Sequence, residues 1–279
     1  MTAAVFLASA EAAALKDFSR SQAMEHVRRL AREIGPRVRG TRAEKRASRH
    51  VARRLERLGY RVKVQRFGVD DRRSRNVVAW WPGSIANPLV IGGHMDSVAD
   101  SPGANDNASG VSVVMELARL AAGTPKARFL RFVAFGSEEY GEDGRHHVGS
   151  TTYVRRLDRA GVRRTPGMVS VDMIADGRPL FVSTTGMGPR ILARVLVRTF
   201  RGAGIRAVLD LGCDCSDHGP FERAGIPGAF LWSGNEPDYH SPSDTLRNLE
   251  PRDLVRTGRA MAAFLVRLDG DLVRRLRAA

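Results

Sequence analysis

The sequence predicts an α/β fold, with a mostly parallel mixed sheet covered by helices on both faces of a single globular domain. Three observations indicate this class. Short apolar runs of strand length alternate along the chain with longer segments of helical periodicity. The 279 residues are enough to bury a full core. Neither a linker nor a repeat divides the chain, so we expect one domain over residues 1–279.

The first elements are a helix and two strands. Thr41 and Glu44 have the spacing of a capping box, which opens a helix that ends at Gly59. Two strand-like runs follow over residues 60–69 and 76–81, joined by a charged turn at residues 70–73.

Strands and helices then alternate to the end of the chain. A helix over 108–122 is apolar nearly all round, which predicts that it is largely buried. Periodicity predicts further helices over 151–160, 189–202 and 252–268, and further strands over 88–91, 129–136, 167–171, 180–183, 206–211 and 229–232. Strands separated by helices predict a mostly parallel sheet with both faces covered.

The charge of the chain is strongly positive but does not indicate a nucleic-acid partner. The formal net charge is +15, and only four of the 45 basic residues are lysine. The arginines are spread from Arg20 to Arg277, and no basic motif interleaved with aromatic residues accompanies them. We therefore expect no nucleic-acid partner.

The N-terminal run Ala3 to Ala10 is apolar but short, and no basic residue precedes it. It fits a secretory signal poorly and is too short to cross a membrane. We expect no membrane span and, by default, a cytoplasmic protein, with secretion left open.

Cys213 and Cys215 are separated by one residue. So short a loop is unfavourable for a disulfide, and two thiols without a second pair make a poor metal site. Free thiols are the expectation, with a redox or metal-delivery role left open.

Polar side chains follow four of the strand-like runs, where open α/β sheets place their sites. His94, Glu138, Glu139, Asp172 and His240 all lie just beyond such runs. With Asp106, in a polar turn that leads into a helix, they supply the two imidazoles and several carboxylates typical of a two-metal hydrolase.

Each residue has a chemical reason for its place in this set. Residues two apart in a strand point the same way, so Asp96 is expected to accept the second ring N–H of His94. The two oxygens of Asp106 could bridge two cations, although Asp106 could also be only a helix N-cap.

The adjacent carboxylates of Glu138 and Glu139 repel one another unless a cation or a shared proton compensates. One can bind metal while the other moves the proton of a metal-activated water to the leaving amine.

In these motifs the sequence resembles the bacterial zinc aminopeptidases with two co-catalytic metals, a family that also contains glutamate carboxypeptidase II and glutaminyl cyclase. The resemblance is carried by five ordered motifs between His94 and Asp244. It implies a cis peptide bond after Asp106. It also implies a bridging Asp106, with His94 and Asp172 on one metal, Glu139 and His240 on the other, and Glu138 as the general base.

Two segments stand apart from this pattern. Many relatives continue from the glutamate pair directly into Gly-Leu-x-Gly-Ser, whereas here residues 140–150 are longer. His146 and His147 in this segment are interpreted as loop residues, because the ligand set is complete without them. Ser216-Asp217-His218 resembles a segment of the family that contacts and orients the metal ligands. Alternatively, Ser216 could be a helix N-cap, and both roles could hold.

The sequence thus predicts a metallopeptidase catalytic domain over residues 1–279, acting as an aminopeptidase on peptide substrates. Two divalent ions are expected, with zinc the best fit to mixed imidazole and carboxylate ligands and manganese or cobalt also suitable. Glu138, Asp96 and Tyr239 are the predicted catalytic residues, Tyr239 as a donor to the developing oxyanion. The alternatives are a carboxypeptidase or other amide hydrolase, a one-zinc glutaminyl cyclase and a non-catalytic binding protein. The oligomeric state is left open.

Overall fold

The computed structural model describes residues 17–234 and 236–279, and its centre is one eight-stranded mixed sheet. The strands run in the order β1-β2-β4-β3-β5-β8-β6-β7 across the sheet. Their bounds are β1 Arg61–Val69, β2 Arg72–Trp80, β3 Leu89–His94, β4 Leu130–Phe135, β5 Met168–Val171, β6 Leu180–Thr184, β7 Ala207–Leu211 and β8 Gly228–Trp232.

The four strands at the centre of the sheet, β4, β3, β5 and β8, are all parallel to one another. β6 and β7 are parallel to each other, whereas β6 is antiparallel to β8 and the β1–β2 hairpin is antiparallel to β4. The predicted mostly parallel mixed sheet is therefore confirmed. In the hairpin Val69 pairs with Arg72, so its turn is two residues shorter than the sequence predicted.

Nine α-helices cover this sheet in the described part of the chain. They are α1 Arg20–Val27, α2 Arg42–Arg57, α3 Gly110–Ala121, α4 Val148–Arg155, α5 Arg159–Arg164, α6 Ile191–Gly202, α7 His218–Arg223, α8 Pro251–Arg267 and α9 Gly270–Arg277. Periodicity predicted the longer of these. It missed α1 and α9, and it joined α4 and α5 into one helix over 151–160 that begins three residues too late and runs across the break between them.

The apolar core has two parts, one on each face of the sheet. Side chains alternate along each central strand, so Leu89 and Ile91 of β3 belong to the larger cluster with helices α1, α2, α3, α6, α8 and α9. Val90 points to the other face, where it joins Tyr153 of α4 and Phe221 of α7. Helices on both faces bury both sets, as the sequence predicts.

The capping box of α2 forms with one change of partner. The Thr41 hydroxyl accepts the N–H of Glu44 at 3.3 Å, as expected. The Glu44 carboxylate reaches back to the N–H of Gly40 at 2.8 Å, one residue before the N-cap. The box still satisfies two N–H groups at the start of the helix.

Helix α3 crosses the middle of the larger cluster, and all of its residues except Arg119 are buried. Its first residue, Gly110, packs directly against the end of β5. A Cβ atom at Gly110 would overlap the carbonyl oxygen of Val171 and the side chain of Asn107. Glycine is therefore required for the start of this helix to approach the sheet so closely.

Cys213 and Cys215 are joined by a disulfide, so the expectation of free thiols is wrong. Their Cα atoms lie 5.1 Å apart, within the range that a disulfide can span even across a single residue.

None of the helices at residues 17–234 and 236–279 is long and apolar enough to cross a membrane. The N-terminal run at residues 3–10 lies outside the described residues, and the cellular location stays a prediction.

Candidate metal centre

The predicted site residues meet at one edge of the sheet because the strands that precede them are adjacent and parallel. β4, β3, β5 and β8 end at the same edge, where His94 is paired with Phe135 and Val171 with Leu231. The loops beyond these strands and the turn before α3 bring together all five predicted metal ligands, namely His94, Asp106, Glu139, Asp172 and His240.

Asp106 lies between the two histidines. One of its oxygens, Oδ1, is 3.0 Å from Nε2 of His94, and the other, Oδ2, is 3.3 Å from Nε2 of His240. The peptide bond between Asp106 and Asn107 is cis, as the resemblance implies. A carboxylate with one oxygen toward each imidazole has the geometry of a bridging ligand.

Two further carboxylates complete two separate groups around Asp106. Asp172 Oδ1 lies 3.3 Å from Nε2 of His94, and Glu139 Oε2 lies 2.9 Å from Nε2 of His240. Within each group one ligand atom from every residue lies within 4.8 Å of the others. The groups are thus His94, Asp106 and Asp172 on one side, and Asp106, Glu139 and His240 on the other.

The chemistry of these donors fits divalent metal ions. Glu139 Oε1 is buried and accepts no hydrogen bond from the described residues, and Asp172 Oδ1, also buried, lies 3.3 Å from the His94 ring. Buried carboxylate oxygens without a partner are costly unless a cation compensates them. Mixed imidazole and carboxylate ligands at this spacing are typical of zinc, and also accept manganese or cobalt.

The ionisation of these groups also reflects crowding of charge in a buried space. Burial by itself would raise the pKa of Asp106. Hydrogen bonds with His240 and His94 outweigh this effect and lower the pKa of the Asp106 carboxyl. Burial would also lower the pKa of His240. Asp106 and Glu139 outweigh burial and raise the pKa of the His240 ring to about 10. For Glu138, burial and the neighbouring carboxylates raise the pKa well above its ordinary value. Against the effect of burial, Asp172, Glu138 and Asp106 likewise raise the pKa of His94 well above its ordinary value. The shifts at both histidines and at Glu138 therefore reflect the concentration of negative charge at the site.

Asp96 holds the glutamate pair rather than the His94 ring. Its two oxygens accept the main-chain N–H groups of Glu138 at 3.1 Å and of Glu139 at 3.2 Å. Nδ1 of His94 is 3.8 Å from the Asp96 carboxylate but 3.2 Å from its main-chain carbonyl. The predicted bond from His94 to the carboxylate is therefore absent, because the chain turns after β3 and brings the carbonyl to the ring.

Asp172 is held by the segment that the sequence singled out at residues 216–218. Ser216 donates its hydroxyl to Asp172 Oδ2 at 2.8 Å, which leaves Oδ1 facing His94. The alternative that Ser216 is a helix N-cap is wrong by one residue, since α7 has Asp217 at its N-cap.

Two supporting residues were not predicted. The carboxylate of Asp244 accepts the main-chain N–H groups of Asn105 and Asp106. The guanidinium of Arg37 is fully buried and donates to the carbonyls of Met95, Pro102 and Gly103, which places a positive charge beside the site. Asp244 ends the His240 motif and could have been found there, but no local pattern marks Arg37.

Tyr239 lies at the rim of the site. Its ring stacks on the His240 ring with centroids 3.7 Å apart, and the side chain is 53% exposed. Partial burial and the site carboxylates raise the pKa of Tyr239, so its hydroxyl keeps its proton. It can therefore donate to a bound group, which is compatible with the predicted role.

His146 and His147 lie outside both metal groups, as predicted. They differ in position, however. His146 is half-buried and stacks on Tyr140, whereas His147 is 2% exposed and its Nε2 lies 2.9 Å from Oε1 of Glu138.

Sequence comparison finds relatives over most of the chain. The sequence profile of peptidase family M28 matches residues 76–265. Leupeptin-inactivating enzyme 1 of Streptomyces exfoliatus is 32% identical over 253 residues, which cover 82% of this chain and 56% of the relative. Aminopeptidase YwaD of Bacillus subtilis is 32% identical over 72% of this chain and 46% of its own length. The chain thus spans about half the length of these relatives.

Solved structures share the fold over nearly the whole chain. BSAP, a zinc aminopeptidase from Bacillus subtilis, superposes with a TM-score of 0.81 over 88% of this chain and 94% of its own, at 20% identity. The glutaminyl cyclase of Porphyromonas gingivalis superposes with a TM-score of 0.75 over 89% and 98% of the two chains, at 23% identity. At these identities the likeness concerns the fold alone.

Proposed function

Because this chain belongs to peptidase family M28, we propose that it is a metal-dependent aminopeptidase that removes N-terminal residues from peptides. Residues 1–279 would act as one metallopeptidase catalytic domain. The activity named for aminopeptidase YwaD, which is 32% identical over 72% of this chain, supports this choice within the family.

The bridging geometry of Asp106 is the observation that carries the proposal. Its two oxygens face two different imidazoles, at 3.0 Å from His94 and 3.3 Å from His240. An aspartate that served only as a helix N-cap would direct an oxygen to main-chain N–H groups of the helix. Here both oxygens face ring nitrogens instead, which is the arrangement expected of a ligand shared by two cations.

Five side chains would hold the two ions. His94 and Asp172 would bind the first, Glu139 and His240 the second, and Asp106 both. Zinc is the ion that we propose. Bound there, the ions would polarise the scissile carbonyl and lower the pKa of the attacking water.

Glu138 is the proposed general base. Its carboxylate lies beside both metal groups, with Oε2 3.9 Å from Nε2 of His94. Glu138 also lies within ligand distance of His94 and Glu139, but each of the two groups around Asp106 has three ligands without it. It would take a proton from the attacking water and pass it to the leaving amine, so that the proton is conserved between the two steps. Asp96 fixes the main chain of this residue, and Tyr239 would donate its hydroxyl to the oxyanion.

The proposal is tested by measuring substrate hydrolysis and metal content on the same protein. Leucine amide and N-acetyl-leucine amide are offered to the protein as purified, and bound metal is measured by elemental analysis. We expect up to two divalent ions per chain, hydrolysis of the free amine only, and loss of activity on chelation that added zinc restores. Full activity in protein shown to be free of metal would disprove the proposal.

Other members of the family would give different results in the same assay. Equal turnover of the acetylated amide would indicate another amide hydrolase, and cleavage of an N-acetylated dipeptide with a free C-terminal carboxylate would indicate a carboxypeptidase. Release of pyroglutamate from an N-terminal glutamine, without hydrolysis, would indicate a glutaminyl cyclase. A non-catalytic binding protein would be expected to lack a ligand or the base, and in this chain all five ligands and Glu138 are present.

A further inference from the structure

A buried histidine contacts one carboxylate oxygen of the proposed general base, and the proposed metal ligand His94 lies nearer the other oxygen. Nε2 of His147 lies 2.9 Å from Oε1 of Glu138, and the His147 side chain is 2% exposed. The second oxygen of the same carboxylate, Oε2, lies 3.9 Å from Nε2 of His94. The two oxygens of Glu138 therefore have different surroundings.

We propose that His147 is a positioning residue for Glu138, donating its Nε2–H to Oε1 and leaving Oε2 as the oxygen that exchanges the proton. This rests on the proposed function, in which Glu138 is the base. A glutamate side chain has three rotatable bonds, and a partner on one oxygen selects the rotamer that directs the other oxygen to the reaction.

The main chain places the His147 ring against Glu138. The N–H of His147 donates to the carbonyl of Glu138 at 2.8 Å, and the N–H of Val148 donates to that of Ser137 at 2.8 Å. Helix α4 begins immediately afterwards, with His147 at its N-cap in the left-handed region at φ +51°. Histidine is among the residues enriched in that region, and an unusual backbone conformation beside a reactive group is consistent with a functional constraint.

The segment between the glutamate pair and His147 is also anchored from outside. Arg39 is 3% exposed, forms ion pairs with Asp70 and Asp143, and donates to the carbonyl of Arg145 at 2.7 Å. A Cβ atom at Gly141 would overlap this guanidinium. The longer segment thus has a defined path around Arg39, which delivers His147 to the site.

The surroundings of the ring favour a neutral imidazole that donates through Nε2. Burial, together with the nearby cationic groups, lowers the pKa of His147 to about 2. Nδ1 has no hydrogen-bond partner among the described residues and lies 4.0 Å from Asp214, which pairs with Arg223. A neutral imidazole carries one N–H, and only Nε2 has an acceptor within reach.

The kinetic test compares two substitutions at this position. Gln places an amide N–H near the position of Nε2, whereas Leu removes the donor and keeps an apolar side chain. With zinc-loaded enzyme and leucine p-nitroanilide, we expect His147→Leu to lower kcat about ten- to hundredfold with little change in KM or bound zinc. His147→Gln should keep kcat within about threefold of the wild type. His50→Leu, the same change at a half-buried histidine that contacts His26 in another part of the fold, is the matched control and should behave as the wild type.

A double-mutant cycle separates this role from a general effect on the fold. In a Glu138→Gln background, His147→Leu should change kcat by less than about twofold, because the two residues act as one unit. The proposal is overturned if His147→Leu has wild-type kcat, if it loses zinc, or if His147→Gln is as slow as His147→Leu.

A measurement that needs no turnover tests the hydrogen bond itself. In the ¹⁵N-histidine spectrum of the zinc-loaded wild type, His147 should be the neutral Nε2–H tautomer, and in Glu138→Ala its Nε2 proton should exchange rapidly with water. The Nδ1–H tautomer, or an Nε2 proton unaffected by Glu138→Ala, would contradict the proposal. If the wild type cleaves no substrate with a free amine, the proposed function fails while this spectrum still decides the contact.

Discussion

The carboxylate of Asp244 holds the main chain of Asp106, accepting its N–H at 3.0 Å through Oδ2. Its other oxygen accepts the N–H of Asn105 at 2.6 Å. Asp244 therefore connects the loop of one proposed imidazole ligand, His240, to the carboxylate between the two histidines. The bridging position of Asp106 thus depends on a residue 138 positions away in the sequence.

Asp244→Asn should weaken metal binding without removing a ligand. An asparagine has one acceptor oxygen where Asp244 uses two, so one of the two N–H groups loses its partner. Residues that orient metal ligands typically contribute about 10- to 100-fold to affinity, and we expect a loss of that size in a zinc titration of the apoprotein. Asp238→Asn, in the same loop, is the control, because Asp238 contacts Asn248 at the surface. Equal zinc affinity of both variants would contradict a supporting role for Asp244.

Glu138→Gln and Glu139→Gln should differ in what they lose. Gln at position 138 keeps size and polarity but cannot accept a proton, so kcat should fall about a hundredfold or more with both metals retained. Gln at position 139 removes a charged ligand, so one metal should be bound more weakly and added metal should restore part of the activity. kcat and metal content are measured for both variants. If Glu138→Gln loses metal and Glu139→Gln keeps it, the two roles are reversed.

Gly110→Ala should destabilise the protein although alanine is the better helix former. The added Cβ would overlap the carbonyl of Val171, and a packed backbone has little freedom to move away. We expect a loss of about 2 kcal/mol or more in the free energy of unfolding, measured in urea. Gly202→Ala at the end of α6 is the control, because a Cβ there meets nothing within 4 Å. That change should be neutral or stabilising by up to about 1 kcal/mol, and similar losses in both variants would refute the steric argument.

The stability of the protein should depend on pH through Glu44. Burial raises the pKa of its carboxyl from an ordinary 4.5 to about 8. Its contribution is therefore fully present below pH 4.5, where folded and unfolded chains are both protonated, and is lost as pH rises toward 8. Glu44→Gln resembles the protonated form and does not titrate. The free energy of unfolding of the wild type relative to Glu44→Gln should thus fall between pH 5 and pH 8. A constant difference across this range would show that Glu44 is charged in the fold.

The sequence by itself was sufficient to predict the fold class and the candidate ligands, because both depend on short local patterns of residues. Alternating strand and helix periods predicted the parallel sheet. The glutamate pair and the two histidines follow apolar runs in the sequence. Because the ends of such strands meet at one edge of a parallel sheet, these residues were predicted to lie together. The hydrogen-bond partners of those ligands could not be predicted in this way. His94 and Asp96 follow the expected strand spacing, yet the turn after β3 directs the Asp96 carboxylate to the main chain of the glutamate pair.

Tertiary structure alone decided which distant groups support the site. No local pattern marks Arg37, which donates to the carbonyl of Gly103. Ser216 and Asp244 belong to motifs that the sequence contains, but the atoms that they contact, Asp172 Oδ2 and the N–H of Asp106, are known only from the packing of the loops. His147 lies two residues before Gly149-Ser150, the end of the Gly-Leu-x-Gly-Ser pattern of many relatives. Only the path of its loop around Arg39 brings the His147 ring to Glu138. The physical reason is that strand and helix periods are set by neighbouring residues, whereas hydrogen bonds between loops are set by how separate elements pack.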